Sequence, residues 1–263
     1  MRMRIYFLPL CILPVSSALA EPASFYDTFD KLDIEGRWWI SDGWSNGSHQ
    51  SCVWSTENAR LIDGKVELLL TDVPRKDNPY SCGELQSHDF YGYGTYEVRM
   101  KPAPPTSGLV SAFFTYTGSP HGNPHDEIDF EFVAARERSV DATYHANGTS
   151  YVDSKPLDFD AEAGFHDYAF HWTPDSITWY ADGKLLREVK RSEDAEFPTT
   201  PGKIYISVWT GTKELNSWLG PFVYPGEPLV ASYEHIAYTK LGDDCQFPES
   251  IVCTIGKDKL GGN

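Results

Sequence analysis

The sequence predicts an all-β fold, an antiparallel β-sandwich of jelly-roll type. Three observations carry that prediction. From residue 60 onward, short runs alternate apolar and polar residues, the period-two signature of strands. Glycine, proline and asparagine turns separate the runs. Helical periodicity is nowhere sustained.

The elements follow in order. Residues 1–20 read as a secretory signal: Arg2 and Arg4 open it, Ile5 to Val15 form an apolar stretch, and Ala18-Leu19-Ala20 is a small-x-small cleavage site. Pro9 and Pro14 break that stretch, which is too short to span a bilayer. No later segment is long and apolar enough, so a secreted protein, extracellular or periplasmic, is expected. Residues 21–243 are assigned to one jelly-roll domain and 244–263 to a tail. Strands are expected at Lys65–Leu70 after the Asp63-Gly64 turn, at Thr95–Met100 with Thr95, Glu97 and Arg99 on a wet side, and at Leu109–Thr117. Tyr168–Trp172 and Ile177–Tyr180 continue the series, and Asp182-Gly183 turns a hairpin into Leu185–Val189. Ile204–Trp209 and Tyr233–Tyr238 complete it.

Charge narrows the ligand. The formal net charge is 22 − 38 = −16, and loss of Arg2 and Arg4 with the signal makes it 20 − 38 = −18. Such a surface argues against nucleic acid and anionic membrane as partners and suits a neutral or weakly charged ligand. A monomer is expected. Five cysteines are present; Cys11 leaves with the signal, and four in an exported chain imply disulfides. Cys245 and Cys253 lie close together and should staple the tail, which pairs Cys52 with Cys82. Neither of the latter has the histidine neighbours of a metal site or a catalytic thiol.

The most informative stretch is His125-Asp126-Glu127-Ile128-Asp129-Phe130-Glu131-Phe132-Val133. Period two puts Glu127, Asp129 and Glu131 on one strand face and Ile128, Phe130 and Phe132 on the other, toward a core. Three carboxylates on one face repel one another, so the pattern carries a cost. It can be a solvated acidic strand, a calcium site, or the paired carboxyl groups of glycoside hydrolysis. Glu127 and Glu131 should have Cα atoms roughly 13 Å apart at strand rise. Side chains leaning together can close that to about 5–6 Å, the separation of a retaining mechanism. Asp129 between them can hydrogen-bond one and raise the proton affinity of the other. Glycines and aromatics around the run favour a sugar cleft. Most of the eight tryptophans should pack in the core, with Trp209 and Trp218 the better candidates for exposure because they bracket a polar, glycine-bearing segment.

Several further runs carry a family resemblance from about Phe25 to Leu241. They include Gly43-Trp44-Ser45-Asn46-Gly47, Cys82-Gly83-Glu84, Tyr91-Gly92-Tyr93-Gly94-Thr95-Tyr96-Glu97-Val98 and Ser111-Ala112-Phe113-Phe114-Thr115-Tyr116-Thr117-Gly118. With the uninterrupted E-x-D-x-E run, the chain resembles glycoside hydrolase family 16, within it the bacterial endo-1,3-1,4-β-glucanases (lichenases). The tail from Gly242 to Cys253 and the start His125-Asp126-Glu127 resemble the secreted endo-glycanases that trim exopolysaccharide of the succinoglycan type. Lichenases usually have tryptophan at position 125, and many have arginine where Gln86 stands.

The resemblance implies a retaining endo-glycanase acting on a polysaccharide. Glu127 would be nucleophile, Glu131 general acid/base and Asp129 their tuning partner. Asn46, Glu84, Phe114, Tyr116, His125, Trp209 and Trp218 would line the glycan cleft, with His145 where lichenases carry a tyrosine. No cofactor is implied for the chemistry. A structural calcium is, at Thr28, Gly64 and Glu234. Two alternatives stand beside hydrolysis: a transglycosylase with the same residues, and a non-catalytic lectin, which has no need of paired glutamates.

Overall fold

The computed structural model describes residues 22–256 and 259–260, so the expected signal segment lies outside the described residues. Two antiparallel layers form the jelly roll. The first runs Thr149–Pro156, Ser139–Ala146, Asp126–Val133, Leu109–Thr117, Lys203–Thr210, Tyr80–Ser87. The second runs Lys65–Thr71, Leu229–Lys240, Gly94–Lys101, His166–Trp172, Ser176–Ala181, Lys184–Lys190. Tyr80–Ser87 bonds both Lys203–Thr210 and Lys65–Thr71, which joins the layers along one side.

The apolar halves of the alternating strands meet between the layers. Ile128, Phe130 and Phe132 are buried there with Phe113, Tyr168 and Phe170. The Phe130 ring lies 5.6 Å from Tyr168, and Phe113 lies 5.6 Å from Phe170. Each fully buried aromatic contributes about 2–3 kcal/mol over leaving it in water, so the core face fixes which way the acidic face points. A one-residue slip would put all three carboxylates inside.

Each strand expected from the sequence is present, and most are longer than expected; Tyr233–Tyr238, for example, is the end of a strand from Leu229 to Lys240. Among the described residues seven further strands exist, including Tyr80–Ser87, Ser139–Ala146 and Thr149–Pro156. The wet side assigned to Thr95–Met100 needs correction. Thr95 and Glu97 are buried, and only Arg99 reaches solvent. The tail covers them: Ile251, Val252 and Leu260 pack on Ala169 and Tyr180. Ser250 Oγ donates to Glu97 Oε2 at 2.6 Å, and the Ile251 N–H donates to Glu97 Oε1 at 2.9 Å. Burial pushes the Glu97 carboxyl up to about 7.

Disulfides join Cys52 to Cys82, Cα atoms 5.8 Å apart, and Cys245 to Cys253, 5.5 Å apart. The first ties the short Cys52–Trp54 strand to Tyr80–Ser87, which it already pairs in parallel. No helix among the described residues is long and apolar enough to cross a membrane.

Candidate active site

Asp126–Val133 lies between Leu109–Thr117 and Ser139–Ala146, so its register decides what surrounds each carboxylate. Glu127 stands opposite Tyr116 on one side and His145 on the other; Asp129 opposite Phe114 and Thr143; Glu131 opposite Ala112 and Asp141. Two anchors hold the strand. Asp126 accepts the N–H groups of Asn147, Thr199 and Thr200 at 2.9–3.0 Å, which clamps its start to two loops. From the core side, Trp179 Nε1 donates to the Asp129 carbonyl at 3.0 Å.

The three carboxylates have different environments. Glu127 keeps partial exposure, and its Oε2 accepts from His125 Nε2 at 2.6 Å. Asp129 is 3% exposed, and its Oδ2 has no hydrogen-bond partner. Burial, then the charges of Glu127 and Glu131, hold Asp129 well above the carboxylate range. Glu131 is pushed up to about 8 by desolvation, with Glu127 and Asp141 adding to it and Arg136 opposing. Its outer edge still opens to solvent. One strand face therefore presents a proton-holding carboxyl, Glu131, and a partly exposed side chain hydrogen-bonded to His125, that of Glu127, with a buried acid between them. That division is what acid-assisted displacement at a glycosidic bond requires.

Around this strand stand most of the residues expected to meet a glycan. Phe114 and Tyr116 are half-buried on the adjacent strand; Phe114 stacks on Tyr205 at 4.9 Å, and Tyr116 meets His125 edge-on at 5.3 Å. Trp209 and Trp218 are half-buried with rings 6.1 Å apart. Glu84 is 3% exposed; desolvation pushes its carboxyl up to about 8 although Ser41 Oγ donates to it at 2.5 Å. Asn46 is exposed, and its Oδ1 accepts from Trp54 Nε1 at 3.1 Å. His125 and His145 stack on each other, centroids 4.8 Å apart.

Sequence reasoning missed part of the site. Asp141 is 1% exposed, takes a bidentate pair from Arg136 at 2.6 and 2.9 Å, and accepts Trp218 Nε1 at 3.0 Å. Burial alone would raise it, but those hydrogen bonds hold it below the usual carboxylate range. The signal was available: Ser139-Val140-Asp141-Ala142-Thr143-Tyr144-His145-Ala146 alternates as a strand does. Gln86 is 3% exposed, donates to Ser41 Oγ at 2.9 Å and accepts from Lys203 Nζ at 3.2 Å, so it braces the site from beneath.

The expected calcium positions lie on the other layer. The register brings the ends of Phe25–Asp27 and Lys65–Thr71 toward the irregularity between Tyr233 and His235, near Thr28, Gly64 and Glu234. The one charged donor is already engaged: Glu234 Oε2 accepts from Arg99 Nε at 2.8 Å. A cation at these positions would share the Glu234 carboxylate with the Arg99 guanidinium. A cavity of about 460 Å³ on this same layer, lined by Glu97, Asp167, His235 and Ile251, lies apart from the acidic strand.

Fold and face together describe a sandwich glycosidase, and comparison with known proteins agrees. The model of glycosyl hydrolases family 16 matches residues 46–220, and the chain belongs to that family. It is a glycoside hydrolase acting on polysaccharide. The endo-1,3-1,4-beta-glycanase ExoK of Rhizobium meliloti (strain 1021) is 41% identical over 235 residues, 88% of this chain and 84% of that protein. The beta-glucanase of Bacillus subtilis (strain 168) is 42% identical over 237 residues, 89% and 93% of the two chains. Among solved structures, the Bacillus licheniformis beta-glucanase superposes with a TM-score of 0.77 at 41% identity, covering 83% of this chain and 99% of its own.

Proposed function

We propose that the chain is a retaining endo-glycanase that cuts internal β-1,3-1,4-type bonds, with Glu127 as nucleophile and Glu131 as general acid/base. The observation that carries this reading is the shared strand face: Glu127 accepts one hydrogen bond from His125, while Glu131 holds its proton near pH 8. Glu127 attacks the anomeric carbon as Glu131 passes its proton to the departing glycosidic oxygen, leaving a glycosyl ester on Glu127. Glu131, now a carboxylate, takes a proton from water as that water attacks the anomeric carbon. The bond from that carbon to Glu127 breaks, the sugar leaves with its configuration retained, and both groups return to their starting states. Asp129, kept protonated by burial, adds no third negative charge and steadies Glu127. No cofactor enters either step.

Asn46, Glu84, Phe114, Tyr116, His125, His145, Trp209 and Trp218 form the glycan surface in this reading. The half-buried aromatics supply stacking faces beside aimed polar groups. For the natural substrate we infer a bacterial exopolysaccharide of the succinoglycan type, at least as well cleaved as cereal mixed-linkage β-glucan. Imidazole at 125 in place of a tryptophan ring supports this. The protein is read as exported and monomeric; the disulfides support export. Sizing the products formed from succinoglycan and from mixed-linkage β-glucan tests the substrate: oligosaccharides from the first at a comparable or higher rate are expected. Cleavage of the second alone overturns the exopolysaccharide reading, and longer products made by joining sugars point to transglycosylation.

A further inference from the structure

His125, Glu127 and His145 do more than face a sugar. His125 and Glu127 are two apart on one strand, so they share a face, and His145 is the cross-strand partner of Glu127. Their nitrogen and oxygen donors converge within 4.8 Å of one another. His125 Nε2 is 2.6 Å and His145 Nε2 3.8 Å from the same oxygen, Glu127 Oε2. Among the described residues this is the one group of three His, Cys, Asp or Glu side chains that converge so closely.

A second observation points the same way. Asp129 Oδ2 is buried, makes no hydrogen bond, and lies 3.9 Å from His145 Nε2. That buried oxygen faces the group with no hydrogen-bond donor of its own. The histidine side chains are 37% and 23% exposed, so an ion can reach them from the open face.

We propose that these side chains form a binding site for a divalent cation of the zinc class. Two imidazoles and one carboxylate with open positions beside them suit zinc and its first-row neighbours, which accept mixed nitrogen and oxygen donors. Calcium and magnesium prefer all-oxygen shells and are excluded by the same donor set. Zinc-bound atoms sit about 3.3–3.5 Å apart around a tetrahedral ion with bonds of about 2.0–2.2 Å. The His145 nitrogen must therefore move inward by a few tenths of an ångström and His125 outward by more, with the proton between His125 and Glu127 displaced. The two rings, now stacked 14° from parallel, must also tilt so that both nitrogen lone pairs meet at one point. A water takes the fourth position, hydrogen-bonded to Asp129. The ion ties up Glu127 Oε2, so it competes with glycan and shuts hydrolysis off reversibly. The net charge of −16 draws cations toward the molecule.

The site depends on donor geometry alone and not on Glu127 being the nucleophile, so the two readings fail separately. The test is calorimetric titration of zinc chloride into the chelator-treated full chain, with cobalt absorption in the visible as a report of coordination. One zinc per chain is expected, unaffected by millimolar calcium or magnesium and weakened by saturating oligosaccharide. His125→Ala/His145→Ala should bind zinc at least about 100-fold more weakly; if its circular dichroism shows it misfolded, His145→Gln alone should still lose about 10-fold or more. Absence of zinc binding below millimolar concentration in the wild type overturns the proposal. So does a folded double variant that binds as tightly as the wild type.

Discussion

Asp141 offers a test in which stability and catalysis should move together. Asp141→Ala removes the partner of a bidentate Arg136 and the acceptor of Trp218 Nε1. Breaking a buried pair by removing one side costs about 3–5 kcal/mol. The Arg136 side chain is 35% exposed and can turn to water, which places the loss near the lower end, about 3 kcal/mol. For a chain of this size each kcal/mol is about 2–4 °C, so Tm should fall by roughly 6–12 °C. The same change should move the pH profile. Asp141 helps raise Glu131, and Arg136 opposes it, so losing the acid leaves an unbalanced positive charge beside the proton donor. Glu131 should release its proton at lower pH. Because the proposed acid works only when protonated, activity disappears as pH rises through its pKa, and the alkaline limb should shift down by about half a unit to one unit. Urea unfolding and kcat/KM against pH measure the two effects. A loss under about 1 kcal/mol, or an unmoved alkaline limb, refutes the coupling argued from the register.

Three further outcomes are expected. Wild-type kcat/KM should fall on the alkaline side with an apparent pKa near 8 set by Glu131, and Glu131→Gln should abolish turnover of natural glycan yet retain attack on substrates whose leaving groups need no proton. Glu97, raised to about 7 in the fold against an unfolded value of 4.5, binds its proton more tightly when folded; its contribution to stability is therefore fully present below pH 4.5 and is lost as pH rises through 7, by about 3 kcal/mol. Glu97→Gln reproduces the protonated form, so between pH 5 and 8 its Tm should decline less than that of the wild type. His125→Trp should shift the kcat/KM ratio toward undecorated mixed-linkage glucan by about 1–2 kcal/mol, the size of one aromatic contact; an unchanged ratio removes His125 from specificity.

The acidic strand was legible because its two faces differ in kind. Carboxylates at 127, 129 and 131 against Ile128, Phe130 and Phe132 leave one way to pack. Ser139–Ala146 alternates as clearly, but small residues such as Ala142 and Ala146 weaken its apolar face, so a strand with Asp141 and His145 on it went unread. Tyr80–Ser87 is buried along almost its whole length, and a strand covered on both sides shows no alternation. Glu97 looked wet because alternation reports a polar face without saying what later covers it; Ser250 and Ile251 arrive from some 150 residues away. Glu234 illustrates the opposite limit. Its position on the strand could be read, but its pairing with Arg99 depends on the neighbouring strand's register.

The identity of the nucleophile can be read directly. A slow-turnover glycoside with fluorine at C2 and an activated leaving group should form the glycosyl ester and release it slowly, since fluorine destabilises the positively charged transition state of both steps. Intact-mass measurement followed by peptide mapping should then find one glycosyl unit, carried on Glu127. A label on Glu131 or Glu84, or steady turnover with no label and inversion at the anomeric carbon, would contradict the double displacement assigned to this strand.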